Sequence, residues 1–218
     1  MTHYRRITRP FSPPAACQQS SFFCVLLTLV LLTGCGDDIR LQALTPDSII
    51  LAFGDSLTYG TGAVRGKSYP DALAELTKLN VVNAGIPGEV TSQGLKRLPG
   101  ELEKHRPNLI IICHGGNDII KKLPPRQTEA NLRRMIEISH ASGAEVVLIS
   151  VPRFSLLKSV PDYYQTIAND FAVPIESKIL PELEFDTEMK SDPIHLNAVD
   201  YHRFAEALAS LIKKHGAL

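Results

Sequence analysis

The chain has 218 residues, of which 44% are hydrophobic and 21% charged, and its 23 basic side chains balance 23 acidic ones. These proportions are near the averages of globular proteins, so they exclude a disordered or collagen-like chain. A formal net charge of zero argues against a nucleic-acid partner, and four cysteines are too few for a disulfide-stabilised scaffold of this length.

The first 34 residues differ in composition from the rest of the chain. They contain three arginines and no acidic residue, and residues 22–32 form an almost wholly apolar run. This run of eleven residues is too short for a membrane-spanning helix, which needs about 20, but has the length of a secretion-signal core. Residues 1–34 are therefore predicted to be a signal peptide.

The end of this signal, Leu32-Thr33-Gly34-Cys35, resembles the lipobox of bacterial lipoproteins. The resemblance implies that Cys35 is acylated, that residues 35–47 form the lipidated cysteine and its tether, and that the domain occupies residues 48–218. It also implies a lipid-anchored protein of the bacterial cell envelope, and Gly36 after the cysteine favours the outer membrane, facing the periplasm. The alternatives are an ordinary signal with a cysteine nearby by chance, or a start codon assigned too far upstream.

Removal of the signal changes the charge and cysteine counts. The remaining 184 residues carry three more acidic than basic side chains, and Cys113 is their only cysteine besides Cys35. An exported domain with one free thiol has no internal disulfide, so we expect its stability to come from an apolar core.

Five short apolar runs predict five strands in the domain. Residues 48–53 are almost continuously apolar rather than alternating, which is typical of a strand buried on both faces. Similar runs occupy residues 81–84, 109–113 and 146–149, and a weaker run lies at residues 173–175.

Helical patterns separate these runs, and their predicted limits come from capping residues, glycine and proline. The predicted helices are one that begins at the cap Ser68, one over residues 91–105 with an interruption at Pro99-Gly100, one capped by Thr128 that stops at Gly143, and one that starts at Asn197 and ends before Gly216.

Strict alternation of strand and helix predicts right-handed crossovers and a parallel sheet between two layers of helices. The predicted fold is therefore a three-layer α/β/α sandwich with a flavodoxin-like five-stranded parallel sheet. The commonest strand order in such sheets is 2-1-3-4-5, and ligands bind beyond the carboxyl ends of the strands. The residues that follow each strand are the candidates for a functional site.

Ser56 follows the first strand, within Gly54-Asp55-Ser56-Leu57. A serine at a strand-to-helix turn is exposed at the edge of the sheet, and its own N–H is one of the unpartnered donors of the helix start. It combines a nucleophile with an oxyanion donor, although a lone serine in this setting more often only caps a helix.

Loops after the next two strands contain further donors. Gly88 lies in a glycine- and proline-containing loop, and Asn117 follows Gly115-Gly116. A backbone N–H and a neutral side-chain amide both suit an oxyanion that exists only transiently, but each loop alone is equally consistent with an ordinary turn. In the order 2-1-3-4-5 the three strands are neighbours, so Gly88, Ser56 and Asn117 should converge.

The last segment, Asp192-Pro193-Ile194-His195, lies between the fifth strand and the last helix. A histidine can take up a hydroxyl proton near neutral pH, and a carboxylate bonded to its other ring nitrogen fixes the tautomer and the orientation of the ring. A lone surface histidine near an aspartate usually has no such role.

In order and spacing, the four segments together resemble the motif blocks of the SGNH hydrolases, also called GDSL esterases or lipases, and are most similar to the bacterial branch of thioesterases, lysophospholipases and arylesterases. The resemblance implies that Ser56 is the nucleophile, that His195 is the general base and then acid, and that Asp192 orients His195. It also implies an oxyanion hole formed by the N–H groups of Ser56 and Gly88 and the side chain of Asn117.

One residue departs from this branch: His114 stands directly before Gly115-Gly116, where an apolar residue is more common, and the resemblance implies no role for it. Acyl transfer of this kind needs no metal and no cofactor. The sequence also lacks His-Glu-x-x-His and any Cys/His ligand cluster, so a hydrolytic zinc site is not expected.

The expected substrates are small acyl esters, aryl esters, acyl thioesters or lysophospholipids, and we expect a monomer. The segment from Pro152 to Tyr164 is a candidate acyl pocket, although packing of a long connection over the core explains it equally well. Two alternatives share the fold. One is an O-acetyl esterase acting on carbohydrate of the cell envelope, and the other is a non-catalytic envelope lipoprotein.

Overall fold

The computed structural model describes residues 39–153, 159–184 and 195–218. The predicted signal peptide, the predicted lipidation site Cys35 and the predicted catalytic residue Asp192 lie outside the described residues. The same is true of Phe154, Leu156 and Leu157 of the candidate acyl pocket.

The described chain forms a parallel sheet in the order β2-β1-β3-β4-β5, which confirms the predicted order. Every residue of β3 and all but the first of β1 are buried, as expected for strands that helices cover on both faces. The strands are β1 (Ile49–Gly54), β2 (Asn80–Gly85), β3 (Leu109–Cys113), β4 (Glu145–Ile149) and β5 (Ile175–Glu176).

Helices connect the strands and form the two outer layers of the sandwich. They are α1 (Ser56–Tyr59), α2 (Tyr69–Thr77), α3 (Thr91–His105), α4 (Gly116–Ile120), α5 (Pro125–Ala141), α6 (Tyr163–Phe171), α7 (Ile179–Glu184) and α8 (Ala198–Lys214). Helices α2 and α8 pack against each other, and α5 packs against α3 and α6. The sequence pattern predicted α2, α3, α5 and α8 but not the separate helices α4, α6 and α7.

Two predicted helix features are wrong. Helix α3 is continuous through Pro99. The proline and Gly100 lie on its exposed side, while Leu98 and Leu102 are buried and hold both halves of the helix against the sheet. Thr128 does not cap α5, because the helix begins at Pro125, where proline fits the first turn.

The ends of the last helix agree with the prediction. The side chain of Asn197 accepts hydrogen bonds from the N–H groups of Val199 and Asp200, and α8 ends at Lys214. This cap stabilises the start of α8 immediately after His195.

Within residues 39–153, 159–184 and 195–218, no helix has the length and apolar character needed to cross a bilayer. In the same residues, no group of three or more histidine, cysteine, aspartate or glutamate side chains is arranged to hold a metal ion.

Candidate active site

Ser56 lies at the turn between β1 and α1 and is the first residue of that helix. The preceding residue, Asp55, is the N-cap, and its Oδ1 accepts a hydrogen bond from the N–H of Leu57 at 3.1 Å. Because the first N–H groups of a helix have no partner inside the helix and point out of its N-terminal end, the Ser56 N–H is a potential donor at this edge of the sheet. The Ser56 side chain is partly exposed, so a substrate can reach its hydroxyl.

His195 meets Ser56 across 139 positions of the chain. Its Nε2 lies 3.1 Å from Ser56 Oγ, within hydrogen-bond distance. This is the contact that a general base needs in order to take the hydroxyl proton. The structure therefore brings these two predicted residues together, whereas Asp192, the predicted partner of the other ring nitrogen, lies outside the described residues.

A cavity of about 310 Å³ opens at this pair. Its residues come from the segments that follow β1, β2 and β3, as the strand order predicts, and from the segment that precedes α8. The cavity is lined by Asp55, Ser56, Leu57, Thr61, Pro87, Gly88, Gly116, Asn117, Ile120 and His195. The predicted residues Ser56, Gly88, Asn117 and His195 thus share one cavity, and apolar side chains form much of its wall.

Gly88 occupies a tight turn at the rim of the cavity. Its φ of 77° lies in the left-handed region, which glycine adopts without strain. Its carbonyl accepts a hydrogen bond from Lys121 Nζ at 3.1 Å, and its N–H has no acceptor among the described residues.

Asn117 is anchored on both sides of its amide nitrogen. Its Nδ2 donates to Asp55 Oδ2 and to the carbonyl oxygen of Glu89, each at 3.1 Å. An amide nitrogen carries two hydrogens, so both are engaged within the protein. Donation to an oxyanion therefore requires one of these two bonds to lengthen.

The carboxyl group of Asp55 is buried beside this amide, with the residue only 2% exposed. Burial raises its pKa above the usual value, although the charge of His114, the Leu57 N–H and the Asn117 amide oppose the rise. The sequence identified Asp55 only as part of the motif, whereas the structure shows that it holds both the start of α1 and the Asn117 side chain.

Glu89, Arg97 and His114 form a buried polar cluster below Gly88, which we call the Glu89 cluster. The Glu89 carboxylate accepts hydrogen bonds from Arg97 Nε at 3.0 Å, Arg97 Nη2 at 2.7 Å and His114 Nε2 at 3.0 Å. Burial alone would raise the pKa of Glu89, but the bonds to His114 and Arg97 lower it from 4.5 to about 2.

The sequence did not reveal this cluster. His114 had no assigned role, and the only signal in the sequence was a charged or polar residue shortly after β2 and directly after β3. Pairing of Glu89 with Arg97 is not apparent from the sequence, because it depends on how the loop after β2 folds back onto α3.

A second buried network lies on the other side of Asn117. Asp118 accepts hydrogen bonds from the Thr91 N–H at 2.8 Å and from the Thr91 hydroxyl at 2.6 Å. Its Oδ1 also accepts from the Thr128 hydroxyl at 3.3 Å. These bonds tie the loop that carries Asn117 to the starts of α3 and α5.

The described residues of the candidate acyl pocket, 152–153 and 159–164, do not line the cavity at Ser56. Tyr164 is fully buried, and its hydroxyl donates a hydrogen bond to the carbonyl oxygen of His114 at 2.7 Å. Tyr163 lines a separate cavity with Ile119 and Leu123. Tyr164 is therefore a core residue, and the expectation that it lines the acyl pocket is wrong.

Cys113 is a buried residue of β3 and has no disulfide partner. Burial raises the pKa of its thiol well above the ordinary value, which leaves it unreactive. Its role is that of a small core side chain, as the sequence predicts.

Comparison with known proteins gives a consistent set of similarities. The GDSL-like lipase/acylhydrolase family matches residues 52–203. The thioesterase 1/protease 1/lysophospholipase L1 of Escherichia coli (strain K12) is 32% identical over 181 residues, which cover 78% of this chain and 82% of that protein. An arylesterase of Vibrio mimicus is 33% identical over 177 residues, which cover 76% of this chain and 88% of that protein.

Solved structures support the same fold. The crystal structure of TesA is 26% identical with a TM-score of 0.69, and the match covers 77% of this chain and 99% of that one. The psychrotrophic esterase EstA from Pseudoalteromonas sp. is 23% identical with a TM-score of 0.69, and the match covers 77% of this chain and 98% of that one. At this identity the likeness supports the fold alone.

Proposed function

The chain belongs to the GDSL-like lipase/acylhydrolase family and is a hydrolase acting on ester bonds, and we propose that it works by serine acyl transfer through Ser56, His195 and Asp192. The observation that carries this proposal is the 3.1 Å contact between Ser56 Oγ and His195 Nε2. The contact lies inside a cavity that Gly88 and Asn117 also line.

The proposed reaction has two steps. His195 takes the Ser56 proton as Oγ attacks the carbonyl carbon, and it then donates that proton to the leaving group as the acyl-enzyme forms. Water then attacks the carbonyl carbon of the acyl-enzyme while His195 takes a proton from it. His195 returns this proton to Ser56 Oγ as the carboxylic acid leaves. Asp192 is proposed to hold the His195 ring in the orientation that points Nε2 at Ser56.

The proposed oxyanion hole consists of the N–H groups of Ser56 and Gly88 and the Asn117 amide. Asp55 lines the cavity and Glu89 does not, so the Asn117 bond to Asp55 is the one that the oxyanion replaces. The bond to the Glu89 carbonyl then keeps the amide in place throughout the reaction. Donors fixed before the reaction stabilise developing charge without reorganisation.

The substrate is proposed to be a small acyl ester, aryl ester or acyl thioester. The cavity volume of about 310 Å³ suits a short to medium acyl group or an aromatic ring, and Leu57, Pro87 and Ile120 provide apolar contacts. The similar proteins from Escherichia coli and Vibrio mimicus are named as thioesterase, lysophospholipase and arylesterase, which supports this range.

The proposed function is tested by replacing the nucleophile. Ser56→Ala should abolish hydrolysis of p-nitrophenyl esters and labelling by a phosphonate, because it removes the hydroxyl that contacts His195 Nε2. A useful control is Thr61→Ser, which keeps a hydroxyl at the cavity wall and should retain activity and labelling. Labelling of the Ser56→Ala protein at the wild-type level would contradict the assignment.

The acyl preference is tested on the wild-type protein with a series of esters and thioesters of increasing chain length. We expect kcat/KM to pass through a maximum at short to medium chains, since a longer chain exceeds the cavity. Faster hydrolysis of acetylated sugars than of every member of the series would contradict the proposed substrate class.

We also propose that Cys35 carries the lipid that anchors the protein in the cell envelope. The support is the order of a basic region, a short apolar core and a lipobox in the sequence. Each buried methylene contributes about 0.8 kcal/mol of membrane affinity, so several acyl chains anchor a protein stably. A Cys35→Ser protein should leave the membrane fraction, and one that stays there as firmly as the wild type would contradict the anchor.

A further inference from the structure

His114 joins the two loops that carry the proposed oxyanion donors. It follows β3 directly, and its Nε2 lies 3.0 Å from Oε2 of Glu89, the residue after Gly88. Three positions further along the chain, at the start of α4, Asn117 Nδ2 lies 3.1 Å from the carbonyl oxygen of Glu89. Glu89 is therefore bound to the β3 loop at two points, through its side chain and through its backbone.

The His114 ring is enclosed at this position. It is fully buried and packs against Phe53 with ring centroids 5.6 Å apart. On the side of α3 the ring faces Gly94, where a Cβ atom would lie 2.5 Å from Nε2. The absence of a side chain at Gly94 therefore leaves the space that the ring occupies.

Burial of the two ring nitrogens of His114 costs free energy. Within the described residues, the hydrogen bond to Glu89 is the one that offsets this cost. A carboxylate can only accept a hydrogen bond, so Nε2 is the donor in this contact. The other ring nitrogen, Nδ1, is buried and has no hydrogen-bond partner within the described residues. An apolar side chain would avoid that unpartnered nitrogen, so packing alone does not explain a histidine here.

Arg97 holds the same carboxylate in a different direction. It lies on α3, donates to both oxygens of Glu89 and donates from Nη2 to the Ala84 carbonyl at 3.1 Å. Arg97 thus ties Glu89 to α3 and to the end of β2, whereas His114 ties it to β3. Without His114, the side chain of Glu89 would keep no bond to the strand from which Asn117 is presented.

We propose that His114 is a positioning residue of the oxyanion hole, acting through Glu89 to fix the Gly88 N–H and the Asn117 amide relative to each other. This role rests on the proposed function, because it matters only if these groups bind the oxyanion. The oxyanion forms after the substrate has bound, so misplaced donors lower kcat and leave KM nearly unchanged. Displacements of about 1 Å can cost as much as 10²-fold in rate.

The test compares two replacements of similar size in the full-length protein. His114→Leu removes the donor, whereas His114→Gln places an amide nitrogen the same number of bonds from Cβ as Nε2 and retains it. We expect His114→Leu to lower kcat about 10-fold with KM within about twofold of the wild type. His114→Gln should bring kcat back to within about threefold of the wild-type value.

A matched control separates positioning from loss of stability. Leu208→Val removes one buried methylene from α8, which packs mainly against α2, α7 and β5, and should lower the urea midpoint with no change in kcat. If His114→Leu does not fold, Glu89→Gln weakens the same contact from its other end, and we expect the same fall in kcat with KM unchanged.

Three outcomes would overturn the positioning role. The first is a kcat of His114→Leu, or of Glu89→Gln where that variant replaces it, within about twofold of the wild-type value. The second is an equal fall in kcat in His114→Leu and His114→Gln. The third is a change in KM with no fall in kcat. Failure of the proposed function would be seen separately, as activity that survives Ser56→Ala.

Discussion

The reactive pair and the buried layer beneath it are built in opposite ways. Ser56 and His195 are partly exposed and meet through one contact of 3.1 Å between elements far apart in the sequence. The layer below, which comprises the Glu89 cluster and Asp118 with its partners, is almost wholly buried and densely hydrogen-bonded. The groups proposed to react are thus accessible, while the groups that place the oxyanion donors are enclosed and held by several hydrogen bonds.

This difference matches the demands of acyl transfer. A nucleophile and a base need access to substrate and freedom to exchange a proton, whereas oxyanion donors work best when they are fixed before charge develops. The comparison predicts large effects on rate at the exposed pair, effects on both rate and stability in the buried layer, and small effects at the surface of the rim.

The largest expected effect is that of His195→Ala. Loss of the proposed base should lower kcat by roughly 10⁵-fold, since single members of a catalytic triad can account for that much. Steady-state kinetics with a p-nitrophenyl ester measures it, and circular dichroism should show an unchanged fold. His202→Ala, an exposed histidine of α8, serves as control and should keep full activity. A loss of less than about tenfold in His195→Ala would place the reactive base elsewhere.

Asn117→Ala should have the next largest effect. Removal of one oxyanion donor should lower kcat by roughly 10²- to 10³-fold. The matched control is Asn108→Ala, which removes an amide from the opposite edge of the sheet, where Asn108 Oδ1 accepts from the Ile49 N–H at 2.9 Å. Activity of Asn117→Ala within threefold of the control would mean that Asn117 only supports the loop.

Glu89→Gln should alter stability in a pH-dependent way. Because the folded-state pKa is lowered from 4.5 to about 2, the ionised carboxylate contributes stability that is fully present above about pH 5 and is lost as the pH falls toward 2. The shift corresponds to about 3 kcal/mol. Urea denaturation of both proteins should give a stability gap of this size at pH 6 that shrinks to about half by pH 3. A gap independent of pH would show that the cluster does not depend on the Glu89 charge.

Lys121→Ala should have the smallest effect. Its Nζ bonds to the Gly88 carbonyl at 3.1 Å, but the contact is exposed, and exposed interactions of charged groups contribute little. We expect kcat and the free energy of unfolding to stay near the wild-type values. A tenfold fall in kcat would mean that the rim, and not the buried layer, holds Gly88, which would remove the contrast between the two regions.

The sequence predicted the strands and the convergence of Ser56, Gly88 and Asn117 well, because both depend on local patterns. Continuous apolar runs identify buried strands, and the strand order 2-1-3-4-5 places the loops after β1, β2 and β3 side by side. Pro99 and Thr128 were misread for two different reasons, one tertiary and one local. Burial of Leu98 and Leu102 outweighs the preference of Pro99, and Pro125 starts α5 before Thr128 is reached.

By itself, the sequence determined the fold and the identities of the residues at the carboxyl edge of the sheet, since strand pattern and motif order are properties of neighbouring residues. The tertiary structure alone decided that His195 lies 3.1 Å from Ser56 and that His114 bonds to Glu89. It also decided that both hydrogens of the Asn117 amide are engaged. Hydrogen bonds act over about 3 Å, and only packing of α3, α8 and the sheet brings residues this far apart in the chain within that distance.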